Sequence, residues 1–136
     1  MKDVARTLLD ADEAPHLILS SPLVRALQTA EIVAAVTKLS DRGGSVIVRR
    51  ELEPSGDLRA LVRESAVGEV KRVMLVGHEP DLSELAGILA GRRFPAGLQK
   101  AMVVGVATIK DDPNAIPMRL RFVLDPKSLT WEDDAR

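Results

Sequence analysis

The 136-residue sequence contains no cysteine and no tyrosine, and only two phenylalanines, one tryptophan and two histidines. Without cysteine there is no disulfide frame, no thiolate zinc site and no redox thiol, and two histidines cannot build a histidine-rich metal cage. Aromatic residues make up 2% of the chain, which leaves no platform on which nucleic-acid bases could stack. An excess of one charge is lacking too. The 19 basic and 20 acidic residues are interspersed and sum to −1, so no sustained field exists to hold a nucleic acid or an anionic membrane. No apolar run approaches the length of a membrane span, and Met1-Lys2-Asp3-Val4 opens straight into charged residues without the apolar stretch of a signal peptide. These absences predict a soluble protein, compatible with a cytoplasmic location, with neither nucleic acid nor membrane among its partners.

What the sequence does have is an ordinary globular share of apolar residues, 46%, which Leu, Val, Ile and Ala must supply almost alone. The length suits one domain over residues 1–136 and is too short for two. No internal repeat or low-complexity block interrupts it before a polar tail.

Hydrophobic spacing gives the order of elements. Val4, Ala5, Leu8 and Leu9 recur as on one face of a helix, with no evident N-cap ahead of them. Leu17-Ile18-Leu19 reads as a short buried strand, Ser20-Ser21-Pro22 as a turn with capping hydroxyls and a proline at a helix's first position, and the following helix should run to about Thr37. Gly43-Gly44 breaks the chain before a second strand at Val46-Ile47-Val48. A loop at Glu53-Pro54-Ser55-Gly56 and a shorter helix marked by Leu58, Leu61 and Val62 come next. Arg72 to Val76 is a third strand, Gly77-His78-Glu79-Pro80 a turn, and Leu82, Leu85, Ala86 and Leu89 the core face of a helix that Gly91 can end. Ala101 to Ile109 and Met118 to Leu124 read as two strands of a hairpin, with Arg119 and Arg121 on the solvent side of an edge-like strand. The alternation predicts an α/β fold: a mostly parallel sheet with helices on both faces and a C-terminal antiparallel hairpin.

In such sheets ligands sit outside the carboxyl ends of the strands, where helix N-termini point N–H groups at an anion. Arg25 and His78 both fall there. Arg25, in the first turn of its helix, can add a guanidinium fork to those N–H groups, although an arginine on a helix is more often simply solvated. His78 follows an apolar strand and a glycine, which puts an imidazole at the strand end; capping the next helix is the plainer use of a histidine there.

Two segments carry a family resemblance. Leu17-Ile18-Leu19-Ser20-Ser21-Pro22-Leu23-Val24-Arg25-Ala26-Leu27-Gln28-Thr29-Ala30 and Val73-Met74-Leu75-Val76-Gly77-His78-Glu79-Pro80-Asp81-Leu82 resemble, in residue type, order and separation, the two downstream signatures of SixA-type histidine phosphatases. Glu51-Leu52-Glu53-Pro54-Ser55-Gly56-Asp57 between them resembles that family's intervening loop, and the resemblance spans nearly the whole chain to Leu124. It implies a phosphoglycerate-mutase-like fold, with Arg25 as the second phosphate-binding arginine and His78 as the second pocket histidine, steadying charge during phosphoryl transfer. The implied reaction moves a phosphoryl group to a first histidine and then to water, using an acid for the leaving group and no metal or other cofactor. The implied substrate is phosphohistidine on a signalling protein, or a small phosphomonoester.

Glu79, beside His78, is a candidate for the acid, and Glu51 and Glu53 occupy the loop from which some members supply a proton donor; each also reads as an ordinary solvated carboxylate. Asp81 is explained by a favourable charge near a helix N-terminus. Ser20, Gln28 and Thr29 are placed to line the entrance, Ser20 best of all as a phosphate contact, while capping and helix-surface roles explain them equally.

The family's first histidine belongs to an Arg-His-Gly motif ending its opening strand, and that triplet occurs nowhere in this sequence. His16 enters the Leu17 strand at its other end, on the order of 13 Å from the pocket, and cannot stand in. The helix at Met1 to Leu9 corresponds to the one the family places after that strand. A domain lacking its first strand, with a few tens of residues ahead of Met1, is therefore expected. Three functions stay open: a metal-independent phosphatase when that front is present, a module that binds phosphate or a phosphorylated partner through Arg25 and His78 without turnover, and a stable fragment with exposed strand edges. The oligomeric state is equally open.

Overall fold

Nine residues from Lys2 to Asp10 form helix α1, which buries Val4, Ala5 and Leu8 on one side, in the computed structural model describing residues 1–133. Strand β1 (Leu17–Ser20), helix α2 (Val24–Val36), strand β2 (Val46–Val48), helix α3 (Leu58–Val67), strand β3 (Val73–Val76) and helix α4 (Asp81–Ala90) follow in strict alternation. Short 3-10 turns at Ser40–Arg42 and Arg50–Leu52 flank β2. The last part is β4 (Val103–Ala107), β5 (Arg119–Leu124) and β6 (Trp131–Asp133).

The first three strands make a parallel sheet in the order β2-β1-β3, with Ile18 opposite Val46 and Met74, and Ser20 opposite Val48 and Val76. Successive strand residues face opposite ways, and both faces are apolar. Ile18 and Val76 pack with Ala26, Ala30 and Val33 of α2 and Ala5 of α1. Leu19, together with the partly buried Leu17, Val73 and Leu75, packs against Leu52, Leu58 and Leu61 on the α3 side. Cover on both faces of β1 and β3 explains why those two strands read as unbroken apolar runs rather than as alternations, whereas Ile47 and Val48 of the edge strand β2 remain exposed.

The hairpin sits in a sheet of its own, in the antiparallel order β4-β5-β6. Its third strand lies in what reads as a polar tail. Trp131 holds it there, its ring meeting that of Phe122 edge-on at 4.9 Å and 82°. β5 is therefore central, not an edge, and Arg121 is engaged: its guanidinium donates to both carboxylate oxygens of Glu13 at 2.6 and 2.7 Å. Opposite Phe122 the partner residue is Gly105, next to a register shift at Val106, and a Cβ there would come within 2.4 Å of the ring. Only glycine lets β4 pass over that ring.

The two sheets share cover on both faces. Met74 of β3 and Val103 of β4 pack on one cluster, Val4, Leu8, Phe122 and Leu124. Leu75 of β3 and Val106 of β4 pack on another, Val62, Leu85, Leu89 and Met118. Yet among the described residues no strand pairs with the second edge of β3 or with the second edge of β4.

Local chemistry sets the helix ends. Asp57 caps α3 by accepting the Ala60 N–H at 3.1 Å, and Gly91 ends α4 in the left-handed conformation at φ 67°. Pro22 stands outside α2 rather than at its first position. Leu23 is extended and serves as the N-cap, because Ser21 Oγ accepts the Leu23 N–H at 3.1 Å and holds the turn open by one residue.

Candidate functional site

Because Ser20 and Val76 are paired at the carboxyl ends of β1 and β3, the chain leaves the sheet at Ser21 and at Gly77 side by side. The Ser21 N–H donates to the Val76 carbonyl at 2.9 Å and extends the pairing by one step. One residue further on, His78 Nε2 lies 2.8 Å from Ser21 Oγ. The turn before α2 and the turn before α4 are thus joined by a side-chain contact at the rim where both helices start.

Ser20 is wholly buried and its hydroxyl donates to the Ser21 carbonyl at 2.9 Å, so the serine of this pair that reaches His78 is Ser21, which sequence reasoning passed over. A signal was available: strand side chains alternate, so of two adjacent serines at a strand end only one can face the neighbouring strand's turn.

Arg25 is the second residue of α2 and is exposed. No side chain caps this helix start, and no carboxylate pairs with Arg25 among the described residues. The first N–H groups of α2 and a guanidinium are consequently available together at its positive end. Arg49 gives the contrast. It leaves β2 at the same rim, its N–H donating to the Ser20 carbonyl at 2.9 Å, but Glu51 and Glu64 take up its guanidinium at 2.7 and 2.5 Å.

Those contacts bear on the acid. Hydrogen bonds from Arg49 hold the Glu51 carboxyl below the usual carboxylate range, which suits an acceptor and not a proton donor. Glu79 is placed beside His78 as expected, but both of its oxygens are occupied by backbone: Oε2 accepts the Ser83 N–H at 2.9 Å and Oε1 the Leu98 N–H at 2.7 Å. It fastens the first turn of α4 to the 94–98 segment. Asp81 does the same in another direction, accepting the Ser55 N–H at 2.7 Å and tying α4 to the 53–56 loop. The His78 turn is thus held from several sides, as a precise ligand site requires.

The Thr29 hydroxyl turns back to the Arg25 carbonyl at 3.1 Å, and Gln28 is exposed on the helix surface. His16 lies at the other end of β1, its N–H on the Arg72 carbonyl at 2.8 Å, and its buried Nδ1 has no hydrogen-bond partner among the described residues. Beside the His78 turn an open cleft of about 610 Å³ is lined by Glu79, Glu84, Phe94 and Leu98 among others.

No family model matches the chain. Over 117 residues it is 42% identical to an uncharacterized protein of Picosynechococcus sp. strain PCC 7002, a match covering 77% of this chain and 68% of that protein. Among solved structures it superimposes on a crystal structure described as a SixA phosphohistidine phosphatase of Agrobacterium tumefaciens, with TM-score 0.73 and 24% identity over 92% of this chain and 77% of that one. A structure of the protein histidine phosphatase SixA complexed with tungstate matches with TM-score 0.72 and 25% identity over 95% and 80% of the two chains. The chain belongs to the family of the Picosynechococcus protein and has the SixA-type histidine phosphatase fold.

Proposed function

We propose that this chain carries the phosphate-gripping half of a SixA-like phosphohistidine phosphatase, in which Arg25 and the α2 N-terminus bind the oxyanion together with His78. The observation that carries the reading is the Ser21 to His78 contact of 2.8 Å, which fixes the two helix-starting turns to one another at the carboxyl ends of paired strands. An anion there meets N–H groups, a guanidinium and an imidazole, the donor set that stabilises charge on a transferring phosphoryl group. One of the SixA structures of the same fold was obtained with tungstate, an oxyanion of phosphate-like shape.

Turnover in this reading needs a second imidazole as nucleophile, and His16 at the far end of β1 cannot supply it. The unpaired edges of β3 and β4, with apolar clusters shared above and below, suggest where a further strand of the domain would lie. A histidine at the carboxyl end of such a strand would stand next to the His78 turn. The substrate in this reading is a phosphohistidine protein, which the open cleft beside the turn can approach, or a small phosphomonoester.

The test is metal-free hydrolysis of a phosphohistidine protein by two forms: residues 1–136 alone, and the same chain extended by its upstream-encoded residues. The extended form is expected to turn over and the 136-residue form to bind without turnover. Activity of the extended form that survives both Arg25→Ala and His78→Ala would refute the assignment. A second reading, a module that holds phosphorylated partners without hydrolysis, is favoured by one fact: this chain places a single histidine at the rim. Absence of turnover in the extended form, with binding retained, would establish it.

A further inference from the structure

We infer that Ser21 is the positioning residue of His78, and that its hydroxyl donates to Nε2 and so keeps the neutral ring protonated on Nδ1, the nitrogen left to face an oxyanion. This rests on the reading of His78 as an oxyanion ligand, and deepens it by saying which ring atom does the binding.

Ser21 is wholly buried, and its Oγ has two neighbours at hydrogen-bonding distance, the Leu23 N–H at 3.1 Å and His78 Nε2 at 2.8 Å. Leu23 can only donate, so it occupies one lone pair of the oxygen. Among the described residues the serine proton then has a single acceptor within reach, the Nε2 lone pair. If Nε2 carried the ring proton instead, it would take the second lone pair of Oγ and leave the hydroxyl hydrogen buried with nothing to bond, a costly arrangement. The satisfied arrangement puts the neutral ring's proton on Nδ1. No protein group hydrogen-bonds Nδ1 among the described residues, and His78 is only partly buried, so that N–H is open to a ligand. The hydrogen bond at one ring nitrogen thereby decides what the other offers, as it does for metal-bound histidines.

The backbone supports the same role. Ser21 is anchored through its N–H to the Val76 carbonyl at 2.9 Å, and the His78 carbonyl accepts the Leu82 N–H at 2.9 Å in the first turn of α4. The backbone at each end of the Ser21 to His78 contact is thereby held by a main-chain bond.

Long-range 1H–15N spectra of the histidine rings in the 136-residue chain, free of anion and at a pH where the rings are neutral, test this directly. His78 is expected to show a protonated Nδ1 and an unprotonated Nε2, whereas free neutral histidine favours the reverse. Ser21→Ala should move His78 toward the Nε2-protonated form, and Ser21→Thr, which keeps the hydroxyl, should restore the Nδ1 form. Tungstate affinity should fall roughly five- to tenfold in Ser21→Ala and recover in Ser21→Thr. An Nε2-protonated ring in the unmodified chain overturns the inference even if the variants fail to fold, as does an unchanged ring pattern in a folded Ser21→Ala. An Nδ1-protonated ring in a chain that does not bind tungstate would support the tautomer assignment and refute the oxyanion reading alone.

Discussion

Arg121 and Glu13 meet fork to fork, both guanidinium Nη atoms on both carboxylate oxygens, at 2.6 and 2.7 Å. The pair joins the central strand of the antiparallel sheet to the loop that leads into β1, and Arg72, just ahead of β3, stands 3.6 Å from the same carboxylate. Planar two-point pairing is the strong form of an ion pair, and the Glu13 side chain is 14% exposed, so solvent screens it only in part.

Glu13→Gln is therefore expected to destabilise the chain by about 1–2 kcal/mol, between the values for an exposed pair and for a charge-assisted bond in a drier setting. Urea unfolding measures it. A loss within error would mean that the three charged groups are solvated independently.

The edge-on contact of Trp131 with Phe122 makes β6 part of the fold and not a tail. Truncating the ring removes the apolar cover from Leu124 and Phe122, so Trp131→Ala should cost roughly 1.5–3 kcal/mol. Equal urea midpoints for the variant and the parent would contradict the placement of β6.

His16 predicts a pH dependence with a definite sign. Burial first, and then the charges of Arg72, Arg42 and Lys71, hold its imidazole below the ordinary 6.5, with Asp12 opposing. The unfolded chain takes up this proton at higher pH than the folded one does. The stability of the neutral ring is thus complete above about 6.5 and is lost as pH falls through the lowered folded value. Glu51, Glu64 and Asp125 are also held low, from starting values of 4.5, 4.5 and 3.8, so their losses begin at more acid pH. Unfolding midpoints should decline as pH falls below about 6.5, and His16→Gln should flatten that slope. A flat profile in the parent would contradict the burial of the ring.

Much of this was legible because it is local. Apolar runs of strand length, separated by helical spacing and by Ser-Ser-Pro and Gly-His-Glu-Pro turns, place β1, α2, β3 and α4 and put Arg25 and His78 at one rim. The rest depends on partners distant in sequence. Nothing in Arg121 itself tells of Glu13, 108 residues away, so a partly buried ion pair reads as a solvated edge. Glu79 reads as an acid because its neighbour is His78, whereas the Leu98 N–H that occupies it comes from 19 residues on. β6 was illegible because three residues among charges carry no period; only Trp131 hints at it. Ser21 and Ser20 are chemically alike in the sequence, and the direction of the strand decides which one meets the imidazole.

On the proposed reading, Arg25 and His78 bind one and the same oxyanion. Titrating the 136-residue chain with tungstate, while following the Arg25 Nε–H and the His78 ring signals by NMR, tests it most directly. Both signals are expected to move together along one saturable curve, with affinity reduced at least about tenfold in Arg25→Ala and in His78→Ala. Signals that saturate at different concentrations, or unchanged affinity in either variant, would contradict the claim.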